Sequence, residues 1–404
     1  MANYGEYMYR KLYFIFTMAF IIVSTCIGVG ILGLPLQTGQ AGFVPSIVGL
    51  ILCWFLMGST AWIMVYRLVV SREIITDMAK VYEKDLGKWA KYLNSAGYIL
   101  TFYGLIVAHL CGAVSIIIHL IPFLHSIPHI TTIVNIIYFV LVTAVILYGM
   151  ETVRKCNTFF ISGLLCIFLL LIILIVPYTK EVNLQHTNWA NFPLQLPILI
   201  TSLGFQVVIP AICKHAIELN VKRLHVFYIL IIGIVIIFII NFAWLFAVIG
   251  TLPLTSPDQI SIVGAYNEGQ PATVPIAKML HSNAITFLAL FFSFFVVTTS
   301  YFGLGMGFLN YMRDLTSKYI KGSIYTDASI TFIIPLIVSI LYPDLFITIL
   351  NFVGGFGVIV AFGMLPALLG IKQNNSKSLK ILGWFSLLLS LIIFSIQFYV
   401  MFLR

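Results

Sequence analysis

The residues with the clearest chemical potential lie inside an apolar run, in the stretch Ser24–Pro35. Three glycines and a proline interrupt a segment that is long enough to cross a bilayer. Gly28 and Gly30 are poor helix formers, and the hydrocarbon offers no water to satisfy a freed backbone. A break here would leave N–H groups for a carboxylate and C=O groups for an ammonium group or a cation. The alternative is a continuous helix whose glycines allow a neighbour to approach closely.

A later apolar run repeats this pattern. Thr201-x-x-Gly204 followed by Pro210 corresponds to Thr25-x-x-Gly28 followed by Pro35. Interrupted helices at corresponding places in two halves of a membrane protein point to a transport site. The pair therefore predicts one shared site for a zwitterion such as an amino acid. Its candidate residues are Thr25, Cys26, Ile27, Gly28, Val29 and Gly30 in the first break, and Thr201, Ser202, Gly204, Phe205 and Gln206 in the second.

His109 lies near the middle of another apolar run. An ionisable side chain at membrane depth is costly and is a functional candidate by default. It would contact the substrate or carry a coupling proton, because imidazole titrates near physiological pH. The alternative is a neutral histidine packed between helices.

The coupling cation has a second candidate site in the eighth apolar run. No Asp or Glu lies deep in any run, which disfavours a proton relay through carboxylates. Thr298, Thr299 and Ser300 would supply hydroxyl groups to a sodium ion, as in sodium-coupled transporters with broken helices, which this arrangement resembles. The alternative is that these hydroxyls bond back to their own helix.

The elements that position these residues are predicted to be membrane helices. The chain has 404 residues, of which 61% are hydrophobic and 9% charged, whereas a soluble domain carries about 25% charged residues. The six cysteines form no Cys-x-x-Cys or Cys/His cluster, so we expect no disulfide, metal or other cofactor. The composition predicts an all-α polytopic membrane protein.

Eleven apolar runs reach bilayer length. They are 12–37, 43–66, 95–121, 131–150, 158–177, 195–215, 224–249, 284–311, 325–342, 346–369 and 380–402. Of the 22 Lys and Arg residues, all but Lys180, Lys278 and Arg404 fall in alternate loops on one side. This asymmetry places the N-terminus in the cytoplasm and the C-terminus outside. It also explains the net charge of +9 without any nucleic-acid partner.

Each predicted break opens a block of five spans, and an odd number of spans inverts a repeated unit in the membrane. We therefore predict an inverted repeat of five plus five spans. The first repeat covers residues 1–194, the second 195–371, and an additional helix 372–404.

Two loops have a pattern of their own. Arg67–Asn94 places Ile74, Met78 and Val81 at helical spacing, which fits either an interfacial helix or a solvated connector. Thr251–Asn283 is long, external and rich in Pro and Gly, and it is a candidate for a short helix in an outer gate.

The two interrupted runs also carry a family resemblance. Ile27-Gly-Val-Gly-Ile-Leu-Gly-Leu-Pro35, followed by Ala41-Gly42-Phe43, resembles the opening signature of the amino acid/auxin permease superfamily. Thr201-Ser-Leu-Gly-Phe205 with Pro210 resembles the bacterial tyrosine- and tryptophan-specific permeases of the hydroxy/aromatic amino acid permease family. The resemblance covers most of the chain.

This resemblance implies proton-coupled uptake of amino acids, most simply aromatic ones, across the bacterial inner membrane. It also implies a broken-helix fold with an inverted repeat. The chain departs from the family pattern at Gln206, where His is usual after Gly-Phe, and at His109, where Tyr is usual after Ala. These departures leave two alternatives open, a sodium-coupled carrier and a carrier of small hydroxy or neutral amino acids.

Other functional classes fit the sequence less well. An intramembrane enzyme needs a cluster of His, Asp, Glu or Cys at the water boundary, and a channel needs a charged ring or a repeated filter. The sequence contains neither pattern, so we do not expect an enzyme.

Overall fold

We analysed a computed structural model of the chain, which describes residues 2–71, 77–317, 323–373 and 376–403. Within these ranges the regular structure is helical, apart from one isolated bridge between Gly42 and Thr187. The α-helices are α1 (Ala2–Cys26), α2 (Val29–Thr38), α3 (Phe43–Ser71), α4 (Met78–Leu86), α5 (Lys88–Leu120), α6 (Ile130–Leu147), α7 (Met150–Ile175), α8 (Glu181–Gln185), α9 (Leu196–Ser202), α10 (Ile209–Glu218), α11 (Arg223–Thr251), α12 (Ile262–Asn267), α13 (Thr273–Met279), α14 (Asn283–Thr316), α15 (Ile324–Leu341), α16 (Phe346–Phe352), α17 (Leu365–Lys372) and α18 (Lys377–Phe402).

Nine helical segments in the described ranges are long and apolar enough to cross a membrane, or ten when the bent pair α1 and α2 counts as one span. The predicted all-α membrane fold is confirmed. The count of eleven and the division into two five-helix repeats stay predictions. Several helices run past the predicted boundaries: α5 begins at Lys88 and α14 ends at Thr316. Helical hydrogen bonding continues beyond the apolar residues, where hydropathy no longer marks it.

The first span is broken, as predicted. Its two halves, α1 and α2, meet at an angle of 56°. Gly28 lies between them in an extended conformation, with φ −135° and ψ −164°. Every residue of α2 is buried in the protein, which is the condition under which irregular backbone is tolerated at membrane depth.

The sixth span is also broken. The helix α9 ends at Ser202, and Leu203–Phe205 is irregular before a 3₁₀ turn at Gln206–Val208 leads into α10. Pro210 lies in the first turn of α10, where a proline costs no helical hydrogen bond. The alternative of two uninterrupted helices is therefore excluded.

A π-helix over Val353–Met364 joins α16 to α17. Its glycines pack against neighbouring backbone and hydroxyl groups: a Cβ atom on Gly354 would lie 1.9 Å from the carbonyl oxygen of Pro197, and one on Gly357 would lie 2.3 Å from Thr101 Oγ1. These glycines therefore let the π-helix approach α9 and α5 closely. The π-helical winding itself was not predicted.

The loop after α3 contains the short helix α4, which packs on the protein. Met78, Val81 and Tyr82 on its apolar face are buried, and Ile74 lies outside the described residues. Arg67 at the end of α3 donates to both carboxylate oxygens of Asp85 in α4, at 2.5 and 3.0 Å. These contacts fasten α4 to the C-terminal end of α3.

The loop after α11 covers α2, the second half of the broken first span. It contains the short helices α12 and α13, so the predicted helical content is confirmed. The N–H of Ala272 donates to the carbonyl oxygen of Leu32 in α2 at 2.8 Å. A Cβ atom on Gly39 would lie 2.8 Å from Ile262 Cδ1. The loop therefore rests directly on α2 in this conformation.

Candidate functional site

The two breaks contact each other at Gly30 and Ser202. A Cβ atom on Gly30 would lie 3.0 Å from Ser202 Oγ and 3.1 Å from Ser202 Cα. The absence of a side chain at Gly30 therefore lets the two main chains touch. The structure thus brings together one predicted residue from each break.

The hydroxyl of Ser202 has no partner in this contact. The residue is 2% exposed, and its Oγ atom finds no hydrogen-bond partner among the described residues. A buried polar group left unsatisfied costs about 1–3 kcal/mol. An open hydrogen-bonding position beside two helix ends is what a polar ligand would fill.

The helix α14 approaches the first break from another direction. A Cβ atom on Gly28 would lie 3.3 Å from Ser300 Oγ. Gly28 occupies the N-cap position of α2 and has no side chain to satisfy the N–H groups of the following turn. Gly28, Gly30, Ser202 and Ser300 thus surround the start of α2, where free N–H groups and the helix dipole favour an anion.

His109 is buried in α5 and is 2% exposed. Its Nδ1 lies 2.5 Å from the carbonyl oxygen of Leu105. Because a carbonyl only accepts, Nδ1 carries the proton, and Nε2 is a free acceptor with no partner among the described residues. The imidazole packs edge-on against Tyr301 of α14, with ring centroids 6.2 Å apart. Tyr301 directly follows Ser300, so His109 contacts the same turn of α14 that approaches Gly28.

The remaining predicted hydroxyl and amide groups point elsewhere. Thr25 Oγ1 donates to Ile21 O of its own helix at 2.7 Å. Thr201 Oγ1 donates to Leu350 O at 2.8 Å and thereby joins α9 to α16. Gln206 Nε2 donates to Met57 O at 3.0 Å, while its Oε1 has no described partner. Thr299 Oγ1 donates to Phe295 O of its own helix at 2.8 Å, the geometry of the structural alternative.

The apolar residues predicted for the site are buried around the breaks. Cys26, Ile27, Val29 and Phe205 are each less than 9% exposed. A Cβ atom on Gly204 would lie 3.4 Å from Val358 Cγ1 in the π-helix.

The glycines of α14 differ in their surroundings. Gly305 packs against Ile146 and Phe332, but Gly303 and Gly307 have no neighbour within 4 Å in the described part of the chain. They follow Ser300 by one and two turns on the same face of α14. Open space therefore lies beside Gly303 and Gly307 in the described part of the chain.

Sequence reasoning missed one residue that holds the site. Trp244 of α11 is fully buried, and its Nε1 donates to Ile31 O at 2.8 Å, in the first turn of α2. A tryptophan in a continuous apolar run resembles a packing residue, so the sequence carried no signal for this bond.

The comparisons with known proteins agree with this geometry. The tyrosine-specific transport system 1 of Haemophilus influenzae is 27% identical over 83% of this chain and 82% of its own length. Glutamine transporter 2 of Aliivibrio fischeri is 25% identical over 84% of both chains. A tryptophan-specific transport protein of Haemophilus influenzae is 24% identical over 89% of this chain and 87% of its own.

Solved structures share the fold. MhsT in complex with L-phenylalanine has a TM-score of 0.61 at 13% identity and covers 95% of this chain and 98% of its own. The manganese transporter of Eremococcus coleocola, in complex with an aromatic bis-isothiourea compound, has a TM-score of 0.60 at 14% identity, over 97% of this chain and 86% of its own.

A family match covers almost the whole sequence, from residue 12 to residue 402. The motifs that carry the family resemblance lie in the first and sixth spans, which are both broken and meet at Gly30 and Ser202. The chain belongs to the tryptophan/tyrosine permease family.

Proposed function

We infer that the protein is a secondary active transporter that imports amino acids across the bacterial inner membrane, with its N-terminus in the cytoplasm. The observation that carries this proposal is the contact of the two breaks at Gly30 and Ser202. A ligand carboxylate would bind the first-turn N–H groups of α2, and the Ser202 hydroxyl would add a hydrogen bond. Carbonyl groups at the end of α1 would accept from the ammonium group.

The proposed substrate is an aromatic amino acid. Two of the relatives described above are named for tyrosine and tryptophan, which supports this choice. With the coupling proton on Nε2, which has no partner among the described residues, His109 would donate to the phenolic oxygen of tyrosine. Phe205 would pack against the aromatic side chain.

A neutral, non-aromatic amino acid is the second candidate. A relative named as a glutamine transporter is as similar in coverage as the tyrosine carrier. Gln206 in the second break offers an unpartnered amide oxygen, which would accept from a substrate amide.

Uptake by purified protein in liposomes tests the proposal. We expect accumulation of labelled tyrosine, tryptophan or phenylalanine, and counterflow when unlabelled substrate is loaded inside. Serine, threonine and glutamine are the comparison substrates. Accumulation of glutamine alone would establish the second candidate, and the absence of counterflow for every amino acid would refute a carrier.

The coupling cation is proposed to be a proton carried by His109, with alternating access of the site to the two sides. A membrane potential supplies about 2.3 kcal/mol per charge per 100 mV, enough for more than about tenfold accumulation by one cation.

The sodium alternative makes a distinct prediction. Because Thr299 bonds to its own helix, we expect Thr299→Ala to retain more than about half of the wild-type uptake, as an intrahelical hydroxyl contributes little. We also expect equal uptake with and without sodium under an imposed pH gradient. Uptake that requires sodium and is lost in Thr299→Ala would move the coupling site to Thr299 and Ser300.

A further inference from the structure

A second cavity lies away from the two breaks, under the tip of the loop that rests on α2. Its volume is about 370 Å³, within the range of small-molecule sites. Four segments form its wall: α5, the first turn of α6, the loop tip Asn267–Gln270 and the turn between α15 and α16. By the predicted orientation, all of these parts lie on the external side.

The cavity is separate from the proposed substrate site. It is lined by Cys111, Ser115 and Ile118, which share one face of α5. His109 occupies the opposite face, where its ring contacts Tyr301. The thickness of α5 therefore separates this cavity from the broken helices.

The charge of the wall selects the ligand. Glu268 and Asp344 contribute two carboxylates, and none of the lining residues is Lys or Arg. Gln270, which is 7% exposed, donates to Glu268 and holds that carboxylate at the cavity. The remaining titratable group, His119, turns its Nδ1 toward Ser115 O of its own helix at 2.7 Å.

The same wall disfavours a metal ion and an anion. The described residues contain no group of three His, Cys, Asp or Glu side chains that could hold a metal ion. Val114 and Ile118 supply an apolar surface beside the carboxylates. A small apolar molecule with an ammonium group fits this wall. Its ammonium group would pair with the carboxylates, and its apolar part would pack on Val114 and Ile118.

The position of the cavity gives such a ligand an effect on the loop. Gly269 at the loop tip has φ +58°, and a Cβ atom there would lie 2.2 Å from Asp344 O. The tip therefore already touches the turn before α16. The other side of the same loop bonds to α2 through Ala272. A ligand between the tip and α5 would hold the loop in its closed position.

We propose that this outer cavity binds a small organic ammonium ion, and that the bound ion slows transport by holding the external loop against α2. The effect on transport depends on the function inferred above, whereas the binding does not. The cavity takes a ligand other than the transported substrate and at a different place.

Cyclohexylamine is a suitable probe, and cyclohexanol is its uncharged control. Cyclohexylamine is expected to lower the maximal uptake rate about fivefold or more, a common strength of coupling between two sites, with KM unchanged. Cyclohexanol is expected to have no effect. The double variant Glu268→Gln/Asp344→Asn is expected to keep its basal uptake and to need about tenfold more cyclohexylamine for the same inhibition.

A binding readout does not depend on transport. In a background with Cys111→Ser, Cys156→Ser and Cys166→Ser, Ser115→Cys places a single thiol in the cavity wall for an impermeant thiol reagent. Cyclohexylamine is expected to slow this labelling, and to leave the labelling of Thr255→Cys in the same loop unchanged. Thr255 is exposed and does not line the cavity.

The outcomes separate the two proposals. Protection of Ser115→Cys in a protein that moves no amino acid would leave this site standing and refute the transport function. A rise in KM alone, equal in the wild type and the double variant, would place cyclohexylamine in the central site and overturn the proposal. Unchanged labelling of Ser115→Cys would overturn it as well.

Discussion

Gly30→Val is expected to abolish uptake while leaving the protein folded in the membrane. The added Cβ would lie 3.1 Å from Ser202 Cα, so the main chain at Ser202 must shift to admit it, and the Cγ atoms of valine need more room still. Overpacking of this kind costs about 1–3 kcal/mol. Because the strain falls on the proposed binding geometry, we expect uptake to fall about 100-fold. Uptake by Gly30→Ala is expected to lie between that of the wild type and that of Gly30→Val.

Gly163→Val in α7 is the matched control, because among the described atoms a Cβ there meets only Ile167 Cδ1 of its own helix, at 3.8 Å. It is expected to retain near-normal uptake. Labelled uptake in liposomes, together with the elution volume of the purified variants, measures both effects. Normal uptake by Gly30→Val would show that the two breaks do not form the site.

His109→Gln is expected to uncouple transport from the pH gradient. Glutamine retains an N–H donor for Leu105 O but cannot carry a proton. Gradient-driven accumulation should then fall by more than about tenfold, since one coupled charge supplies about 2.3 kcal/mol per 100 mV. Counterflow, which needs no net ion movement, should persist in the same preparation.

His215→Gln provides the control, because His215 is exposed in the last turn of α10 and its ring centroid lies 5.6 Å from that of Phe14. It is expected to keep the wild-type pH dependence. If His109→Gln accumulates substrate as the wild type does across the pH range, the proton is carried elsewhere and His109 only packs the interior.

The sequence predicted the parts of this molecule that depend on composition and on local backbone chemistry. Bilayer-length apolar runs and the placement of Lys and Arg specify membrane helices. Glycines such as Gly28 and Gly30, in the middle of a bilayer-length apolar run, predict the break.

Contacts between distant segments could not be predicted in the same way. The bond from Trp244 to Ile31 O joins residues 213 positions apart, and apolar composition gives no hint of it. Thr201 and Ser202 are neighbours in sequence, yet only Ser202 meets Gly30, since which side chain faces the partner depends on how α9 rotates. The π-helix has no compositional signature of its own, because its residues would suit an α-helix equally well.

The anchoring of α2 makes the two halves of the first span mechanically unequal. Trp244 and Ala272 hold two successive carbonyl groups of α2, those of Ile31 and Leu32, whereas α1 packs mainly along α11. A swing about Gly28 would then carry α1 and its terminal carbonyls away from a stationary α2. The hydrogen-bond donors for the carboxylate would stay in place while the acceptors for the ammonium group withdrew. Substrate release would thus begin at the ammonium end of the zwitterion, and binding would end there.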